Sequence, residues 1–210
     1  MNERMEQGKY VVIEGTDGTG KSTQVELLAE RLEETGLEVV QFHEPDGVEI
    51  ASEIRSIIKN GSLARSAFTN LLLFSASRRE NWLQSGLPVL ERGGWVVSAR
   101  DYTSTLAYQG YGEGLDTELI SHVTELSTDE RYMHPDAQII LDINDEAERA
   151  ERIAGRGELE NPDTFESRDS QFQQRVQDGY RTIARERGLP IIAANRPIEV
   201  VAEDIWRTVY

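Results

Sequence analysis

Residues 15–23 read Gly-Thr-Asp-Gly-Thr-Gly-Lys-Ser-Thr, and this stretch decides the fold of the chain. It fits the phosphate-binding loop pattern G-x-x-x-x-G-K-[ST]. The fixed positions of that pattern are Gly15, Gly20, Lys21 and Ser22. The apolar run 10–14 is typical of a buried parallel strand, and residues 22–34 carry apolar side chains near helical spacing. Because the motif requires a strand before it and a helix after it, the stretch predicts a site for phosphate groups.

Three physical effects favour an anion at this loop. Glycines let the backbone close around the anion and present N–H groups to it. The N-terminus of the following helix adds a partial positive charge, and Lys21 adds a full one. The Ser22 hydroxyl can ligate the Mg²⁺ that accompanies a nucleotide. The alternative, a glycine-rich turn with a chance lysine, is disfavoured by the full pattern and its flanks.

The composition narrows the class of protein and of partner. The 210 residues suffice for a single domain, residues 1–210, with a sizeable core. The 38 acidic and 22 basic residues give a net charge of −16, which disfavours nucleic acid and anionic membranes as partners. Cysteine is absent, and no run of about 18 apolar residues could cross a membrane. We expect a cytoplasmic protein whose ligands are small molecules that carry phosphate. Its acidic surface indicates either adaptation to high salt, which screens repulsion between like charges, or an ordinary acidic cytosolic protein.

Short apolar runs alternate with helical patterns along the chain. The predicted strands are 10–14, 38–43, 95–98, 138–143 and 190–193, and the predicted helices are 21–35, 48–59, 64–84, 116–126, 145–155, 168–187 and 197–208. The alternation predicts an α/β fold of the P-loop NTPase type, with three layers: a five-stranded parallel sheet and helices on both faces. The polar residues 156–168 predict a loop, and we expect a mobile lid at about 155–168.

Several polar residues follow predicted strands directly. Ligands of open parallel sheets bind beyond the carboxyl ends of the strands, so Glu14, residues 43–44 and residues 98–100 should surround one crevice. Arg100 could grip a phosphate at two points there. Arg55, on the helix that follows residue 44, is either a ligand or a solvated helix arginine.

Phe74 and Arg78 lie four residues apart, so both project from one face of a helix. By itself the pair is typical of a core aromatic with a surface cation. Beside a nucleotide cleft it would supply a ring for stacking and a donor for base carbonyls.

Arg149, Arg152 and Arg156 recur at three- and four-residue spacing before the polar loop. Arg149 and Arg152 fit a charged helix face paired with neighbouring glutamates as well as they fit a site. Arg156, at the loop entrance, is the better candidate to reach a transferring phosphate.

Together these features resemble the thymidylate kinase family, P-loop enzymes that phosphorylate deoxythymidine monophosphate (dTMP) with ATP. The resemblance extends over nearly the whole chain. It is carried by residues 14–23, Glu44-Pro45 with Arg55, residues 73–78, residues 98–100 with Ser104, Ala107-Tyr108-Gln109-Gly110, Arg156-Gly157 and residues 172–180. The phosphate-binding loop alone would indicate only an NTPase or kinase, and the combination is more specific.

The resemblance implies a role for each matching residue. ATP would be bound by Gly15, Thr16, Asp17, Gly18, Thr19, Gly20, Lys21, Ser22 and Thr23, with Ser22 at the Mg²⁺ ion. The residues implied for dTMP are Asp17, Glu44, Arg55, Phe74, Arg78, Arg100, Ser104, Tyr108 and Gln109. Lys21, Arg100 and Arg156 would carry the charge of the transition state.

The implied contacts to dTMP can be stated one by one. Asp17 would accept a hydrogen bond from the sugar 3′-hydroxyl. Phe74 would stack on thymine, and Arg78 would bond its carbonyl. Arg55 and Arg100 would hold the monophosphate. Tyr108 and Gln109 would border the sugar and base, with Tyr108 placed to disfavour a ribose 2′-hydroxyl.

The chain departs from the family's usual pattern at Ala99, at Ser77 and at Asp46-Gly47, and it matches one subgroup at Gly18. Ala99 stands where the family usually carries the aspartate of an Asp-Arg pair, which leaves Glu14, Asp142 or water to serve near the metal. Gly18 stands where some members carry an arginine, so the chain is similar to the subgroup that places its catalytic arginine in the lid.

A dTMP kinase is therefore our first hypothesis. The alternatives are a related P-loop kinase for another nucleotide or nucleoside, and a non-catalytic nucleotide-binding homologue. The predicted helices 64–84 and 116–126 carry apolar residues, from which we expect a homodimer as in similar proteins. Those residues could also simply pack on the sheet.

Overall fold

The structure is a computed structural model that describes residues 8–155, 164–165 and 168–210. Five strands form one parallel sheet in the order β2-β3-β1-β4-β5. The strands are β1 (Tyr10–Gly15), β2 (Val39–His43), β3 (Trp95–Ala99), β4 (Ala137–Asp142) and β5 (Ile191–Ala193). All five predicted strands are present, within one residue of the predicted bounds. The predicted lid lies largely outside the described residues.

Alternate residues of β1 pack into two separate cores. Tyr10 and Val12 belong to one core, and Val11 and Ile13 belong to the other. Each of the four side chains is at most 1% exposed. Because both faces of the sheet are covered, β1 is a continuous apolar run and does not alternate with polar residues. The predicted three-layer arrangement is confirmed.

Helices flank the sheet on both faces. They are α1 (Lys21–Glu33), α2 (Glu49–Lys59), α3 (Ala67–Asn81), α4 (Leu87–Glu91), α5 (Tyr102–Thr105), α6 (Thr117–Ser127), α7 (Glu130–Met133), α8 (Glu146–Ala154), α9 (Ser170–Arg187) and α10 (Ile198–Val209). Helices α1 and α10 cover the core that contains Val11, whereas α2, α3, α6 and α9 contribute to the core that contains Val12. None of the described helices is long and apolar enough to span a bilayer.

The predicted helix 64–84 continues to Glu91 in the structure. A π-helical segment, Trp82–Gly86, joins α3 to α4. Pro88 lies just after the π-helical segment, at the start of α4, and the helix continues past it to Glu91.

Sequence periodicity missed the short helices α5 and α7 and the π-helical segment Leu106–Gly112, which follows α5. Four-residue helices are too short for an apolar repeat. Each of the two begins instead at an aspartate whose carboxylate accepts a backbone N–H: Asp101 caps α5, and Asp129 caps α7.

The fully buried carboxylate of Glu14, near the end of β1, holds the chain that follows β3. It accepts hydrogen bonds from the backbone N–H groups of Asp101 (2.8 Å) and Ser104 (3.0 Å). It also accepts from the hydroxyls of Ser104 (2.8 Å) and Tyr180 (2.9 Å). These bonds fix the segment that carries Arg100.

A second buried carboxylate, Asp101, lies beside Glu14. It accepts hydrogen bonds from the backbone N–H of Thr103 and from the amide of Gln138. Burial raises the pKa of Asp101 well above its usual value, and the negative charge of Glu14 raises this pKa further. Since the folded state holds this proton more tightly than the unfolded state, the contribution of Asp101 to stability falls as pH rises.

The substitution Asp101→Asn should therefore stabilise the protein more at high pH than at low pH. Asparagine has the shape of the protonated acid and cannot ionise. Above the unfolded pKa of about 3.9, ionisation costs the native protein up to about 1.4 kcal/mol per pH unit until the folded pKa is reached. Urea unfolding at pH 5 and pH 8 measures the difference.

The matched control for this test is Glu38→Gln. A hydrogen bond from Arg92 lowers the pKa of the exposed Glu38, so the control should lose a little stability at the higher pH. An Asp101→Asn advantage that shrinks between pH 5 and pH 8 would contradict the assignment.

Candidate active site

A cavity of about 310 Å³ lies beyond the carboxyl ends of β1, β2 and β3, where the sequence predicts a crevice. Its lining includes Asp17, Lys21, Ser22, Glu44, Arg55, Phe74, Arg78, Arg100, Ser104, Tyr108 and Gln109. All nine residues that the resemblance implies for dTMP therefore line this one cavity. Thr105, Phe165, Ile58 and Lys59 line the same cavity without having been predicted.

The phosphate-binding loop turns directly from β1 into α1. Gly15 has a φ of 142°, and a Cβ at this position would lie 2.3 Å from the carbonyl oxygen of Leu141 on β4. Thr16 and Thr19 are buried, and the Thr19 hydroxyl donates to the Thr16 carbonyl (2.9 Å). The loop therefore needs glycine where it touches β4 and is braced internally by its own threonines.

Lys21 lies at the base of this loop. Its Nζ donates to the Thr16 carbonyl (2.8 Å) and is 3.9 Å from Asp17. Ser22 and Thr23 follow in the first turn of α1, with exposed side chains. The arrangement places a cation and a free helix N-terminus at the edge of the cavity.

Asp17 connects the loop to the opposite wall. Its carboxylate pairs with the Arg100 guanidinium through a short contact and accepts a hydrogen bond from the Tyr108 hydroxyl (2.9 Å). Burial raises the pKa of Tyr108, and the negative charge of Asp17 raises it further. Tyr108 therefore stays a neutral donor to Asp17.

Arg100 is held in an unusual backbone conformation. Its φ is 80°, a region that residues other than glycine rarely occupy. Its N–H donates to the Ile13 carbonyl (3.1 Å), and its own carbonyl accepts from the Ser98 hydroxyl (2.6 Å). The guanidinium donates to the hydroxyls of Ser104 (2.9 Å) and Tyr180 (3.2 Å). Contacts on both backbone and side chain thus fix where this cation lies.

Arg78 is almost completely buried at the other end of the cavity. Its Nε donates to Glu44 (3.1 Å) and to the Tyr132 hydroxyl (2.8 Å), and its Nη2 donates to Thr105 (3.0 Å). Its Nη1 has no hydrogen-bond partner within the part of the chain that the structure describes. The guanidinium is therefore fixed on two sides and retains unused donor capacity on the third.

Glu44 neutralises Arg78 in this buried setting. The Tyr132 hydroxyl also donates to Glu44, at 2.7 Å. Burial raises the pKa of Glu44, while the positive charge of Arg78 acts in the opposite direction. Glu44 lines the cavity, yet its hydrogen bonds indicate that it orients Arg78.

Aromatic rings form the wall beside Arg78. The ring centroids of Phe74 and Phe165 are 6.0 Å apart, and Tyr108 meets Phe165 edge to face at 5.9 Å. Sequence reasoning missed Phe165 because it stands in a polar segment with no periodic pattern. Tyr132 was missed for a related reason, since it lies on the short helix α7.

Two further predicted acceptor residues, Arg55 and Gln109, also contribute to the lining. Arg55 is partly exposed and lies 3.5 Å from Asp46. Gln109 is buried, and its amide donates to Glu113 (3.2 Å).

The arginines on α8 differ from one another. Arg152 pairs with Glu148 (2.8 Å) and donates to the Ala194 carbonyl (3.0 Å), as the charged-face interpretation expected. Arg149 is buried against the phosphate-binding loop. Arg156, the predicted lid arginine, lies outside the described residues.

The residues present are compatible with a Mg²⁺ ion carried by a nucleotide. No group of three or more metal-binding side chains occurs within the described ranges. The carboxylate of Glu14 already accepts hydrogen bonds from protein groups, and that of Asp142 accepts from Gln177 and pairs with Arg181. The side chain of Ala99 has no oxygen that could bind a metal. The exposed Ser22 hydroxyl remains, and because Mg²⁺ keeps waters and takes few protein ligands beside phosphates, this donor suffices.

Comparison with known proteins gives a consistent result. A family model described as "Thymidylate kinase" matches residues 13–205. The thymidylate kinase of Exiguobacterium sibiricum is 35% identical over 205 residues, which are 96% of this chain and 94% of the relative. That of Parasynechococcus marenigrum is 36% identical over 207 residues, covering 95% and 96%.

A solved structure agrees with these relatives. The crystal structure of thymidylate kinase from Ehrlichia chaffeensis matches with a TM-score of 0.78 and 28% identity, covering 97% of this chain and 99% of that one. The family model, the relatives and the fold all coincide with the motifs that meet in the cavity. This chain belongs to the thymidylate kinase family.

Proposed function

We propose that this cavity is where the chain carries out the reaction of its family, the ATP-dependent phosphorylation of dTMP to dTDP. The family and the names of its relatives support this reaction, and nothing supports the two alternative hypotheses. The single observation that carries the assignment is the convergence of the loop cation Lys21, the strand-end cation Arg100 and the anchored Arg78 on one cavity.

We expect the acceptor base to bind between Phe74 and Arg78, which both line the cavity. Phe74 offers an aromatic face, which supports stacking of thymine. The unused Nη1 of Arg78 supports a hydrogen bond to a base carbonyl, because a buried donor without a partner is costly until a ligand supplies one. Glu44, Tyr132 and Thr105 hold the guanidinium in place beforehand, so little ordering is required on binding.

The sugar and phosphate of the acceptor then lie toward the loop. Asp17 and Tyr108 are hydrogen-bonded to each other at that end, and either could meet the 3′-hydroxyl. Arg55 and Arg100 supply the positive charge for the monophosphate. Arg100 in particular presents a planar fork suited to two phosphate oxygens.

The donor triphosphate belongs on the phosphate-binding loop. The backbone of residues 15–20, the N-terminus of α1 and Lys21 supply its positive environment. Ser22 is the residue that would hold Mg²⁺, which neutralises charge on the donor phosphates when bound.

The transfer itself asks for positioning and charge neutralisation. An acceptor phosphate with a second pKa of about 6 is already ionised at neutral pH, so no general base is required. Lys21 and Arg100 lie where the two phosphates would meet, and both would stabilise the transition state. We expect Arg156 to be a third cation that stabilises the transition state.

Substitution of Lys21 tests the site directly. Lys21→Ala should lower kcat with dTMP by about 100- to 1000-fold, because a preorganised charge is removed from the transition state. Coupled ADP release measures the rate, and circular dichroism verifies folding. The control is Lys9→Ala, since Lys9 lies over the Trp95 ring and away from the cavity. Near-normal turnover by folded Lys21→Ala would overturn the proposed site.

Phe74 tests the base contact separately. Phe74→Leu should raise KM for dTMP by about 3- to 10-fold, the loss expected for one aromatic stacking contact, and leave KM for ATP unchanged. Tyr210→Leu, at an exposed aromatic position that does not line the cavity, is the control. Equal effects of the two substitutions on KM for dTMP would count against stacking on Phe74.

The chain also carries a surface suited to a homodimer. Helices α3 and α6 contact each other and expose Phe68, Leu72, Leu119 and Leu126, each at least 36% exposed. These apolar side chains lie on two adjacent helices, and a second copy of the chain would cover them. The expectation of a cytoplasmic location and of no nucleic-acid partner stays a prediction from composition.

The substitution Leu72→Glu tests this surface. A charge in a self-complementary apolar contact is repeated by symmetry, so we expect a monomer by light scattering coupled to gel filtration at low micromolar concentration. Val200→Glu, an equally exposed apolar position on α10, should leave the mass unchanged. A wild-type protein that is already monomeric would refute the dimer.

A further inference from the structure

The turn that joins β2 to α2 is held in place by two side chains of helix α3. Asn81 is fully buried, and its amide donates to the Asp46 carbonyl (2.8 Å) while its oxygen accepts from the backbone N–H of Val48 (2.9 Å). The Ser77 hydroxyl donates to the Pro45 carbonyl (2.5 Å). Since α3 also forms one wall of the cavity, these bonds fix where Asp46 stands relative to that wall.

The carboxylate of Asp46 is oriented within this turn. Its Oδ1 accepts hydrogen bonds from the Ser52 hydroxyl (2.6 Å) and from the backbone N–H of Gly47 (3.0 Å). The hydrogen bond from Ser52 lowers the pKa of Asp46, and the positive charges of Arg55 and Lys59 lower it further. Because both hydrogen bonds use Oδ1, the second oxygen, Oδ2, is directed to another partner.

That partner is Arg55, which Asp46 contacts along one edge of the guanidinium. Oδ2 of Asp46 lies 3.5 Å from Nε of Arg55. Arg55 makes no other hydrogen bond or ion pair to the residues that the structure describes. Arg55 lines the acceptor cavity, whereas Asp46 does not. The carboxylate therefore holds Nε from outside the cavity, and Nη1 and Nη2 are left for a ligand inside it.

Asp46 acts on a bound phosphate in two opposing ways. It holds Arg55 before the ligand arrives, which removes part of the cost of ordering a long side chain on binding. It also repels the phosphate, because both groups are negative. Since Asp46 contacts Arg55 but stands outside the cavity, its attraction acts over a shorter distance than its repulsion, and water screens the longer interaction more. The orienting effect is therefore the larger one.

We propose that Asp46 is a positioning residue, which orients Arg55 toward the phosphate of the acceptor and so raises the preference of the site for dTMP over thymidine. This inference rests on the proposed function for the identity of the acceptor. It adds a group that does not touch the ligand itself. Asp46 and Ser77 are both positions where the chain departs from the family's usual pattern, and the two meet in this one turn.

The test compares Asp46→Asn with Glu53→Gln. Asparagine can still accept from Ser52 and Gly47, but its amide then presents a donor to Nε of Arg55. Glu53 is exposed on the same helix as Arg55, so its substitution removes an equal charge without removing a contact. Calorimetry measures Kd for dTMP and for thymidine. We expect Asp46→Asn to weaken dTMP by about 3- to 5-fold, the range for a partly exposed ion pair, and thymidine by less than about 1.5-fold.

The sign of the change separates positioning from charge alone. Loss of a negative charge near an anion should by itself strengthen the binding of dTMP, and Glu53→Gln measures this effect, which we expect to stay within about 1.5-fold. A loss of packing should weaken dTMP and thymidine equally and lower Tm. Only positioning weakens dTMP and leaves thymidine unchanged.

A second background shows whether Asp46 acts through Arg55. When Arg55 is already replaced, in Arg55→Met, the further change Asp46→Asn should alter Kd for dTMP by less than about 1.5-fold. In Asp46→Asn alone, KM for dTMP should rise together with Kd, and kcat at saturating dTMP should stay within about 2-fold of the wild type, because the effect is on acceptor binding.

Three outcomes would overturn the inference. The first is Asp46→Asn that binds dTMP as tightly as the wild type or more tightly. The second is equal weakening of dTMP and thymidine. The third is the same weakening of dTMP by Asp46→Asn whether residue 55 is arginine or methionine, which would show that Asp46 does not act through Arg55.

Failure of this inference is distinguishable from failure of the proposed function. Wild-type turnover of dTMP, with a Kd that is insensitive to residue 46, would reject only the role of Asp46. An Asp46-dependent preference for dTMP over thymidine, in a wild type that forms no dTDP, would reject only the reaction.

Discussion

The buried carboxylate of Glu14 is the constraint on which the site depends. It lies at the end of the central strand and accepts four hydrogen bonds from the chain after β3 and from Tyr180 on α9. Three distant parts of the sequence therefore meet at one group of two oxygens. Because an acceptor buried without its donors would be expensive, the end of β3 has little freedom relative to the phosphate-binding loop. The hydrogen bonds to Glu14 therefore help to fix the position of Arg100 relative to Lys21 in the phosphate-binding loop.

Each of the three arginines that line the cavity has an acidic partner. Arg78 has Glu44, Arg100 has Asp17 and Arg55 has Asp46. These pairs limit repulsion between the cations and orient each guanidinium so that some N–H groups still face the cavity. The remaining excess of acidic residues lies elsewhere on the chain, so a local anion site coexists with a net charge of −16. The net charge of the whole chain therefore does not indicate the charge of the ligand, whereas the cations that line the cavity do.

Much of this site was predictable because its residues follow strands or lie in a fixed motif. The loop 15–23, Glu44 and Arg100 stand at strand ends, where topology alone brings them together. Phe165 and Tyr132 were not predictable, since only long-range packing places them. The three arginines before the lid carried one spacing signal, which could not tell an ion-paired surface residue such as Arg152 from a buried one such as Arg149. The π-helical segments were not predicted either, because the local spacing of apolar residues does not distinguish a π-helix from an α-helix.

The left-handed backbone of Arg100 has a consequence for how this protein balances folding against activity. A branched or bulky residue in that region costs about 1–3 kcal/mol, which glycine would not incur. Substitution by glycine would relax the chain and abolish the charge at once. It would also remove the ion pair with Asp17 and the hydrogen bonds to Ser104 and Tyr180, so the contacts that hold this cation for a phosphate are the same ones that offset the strain of its backbone.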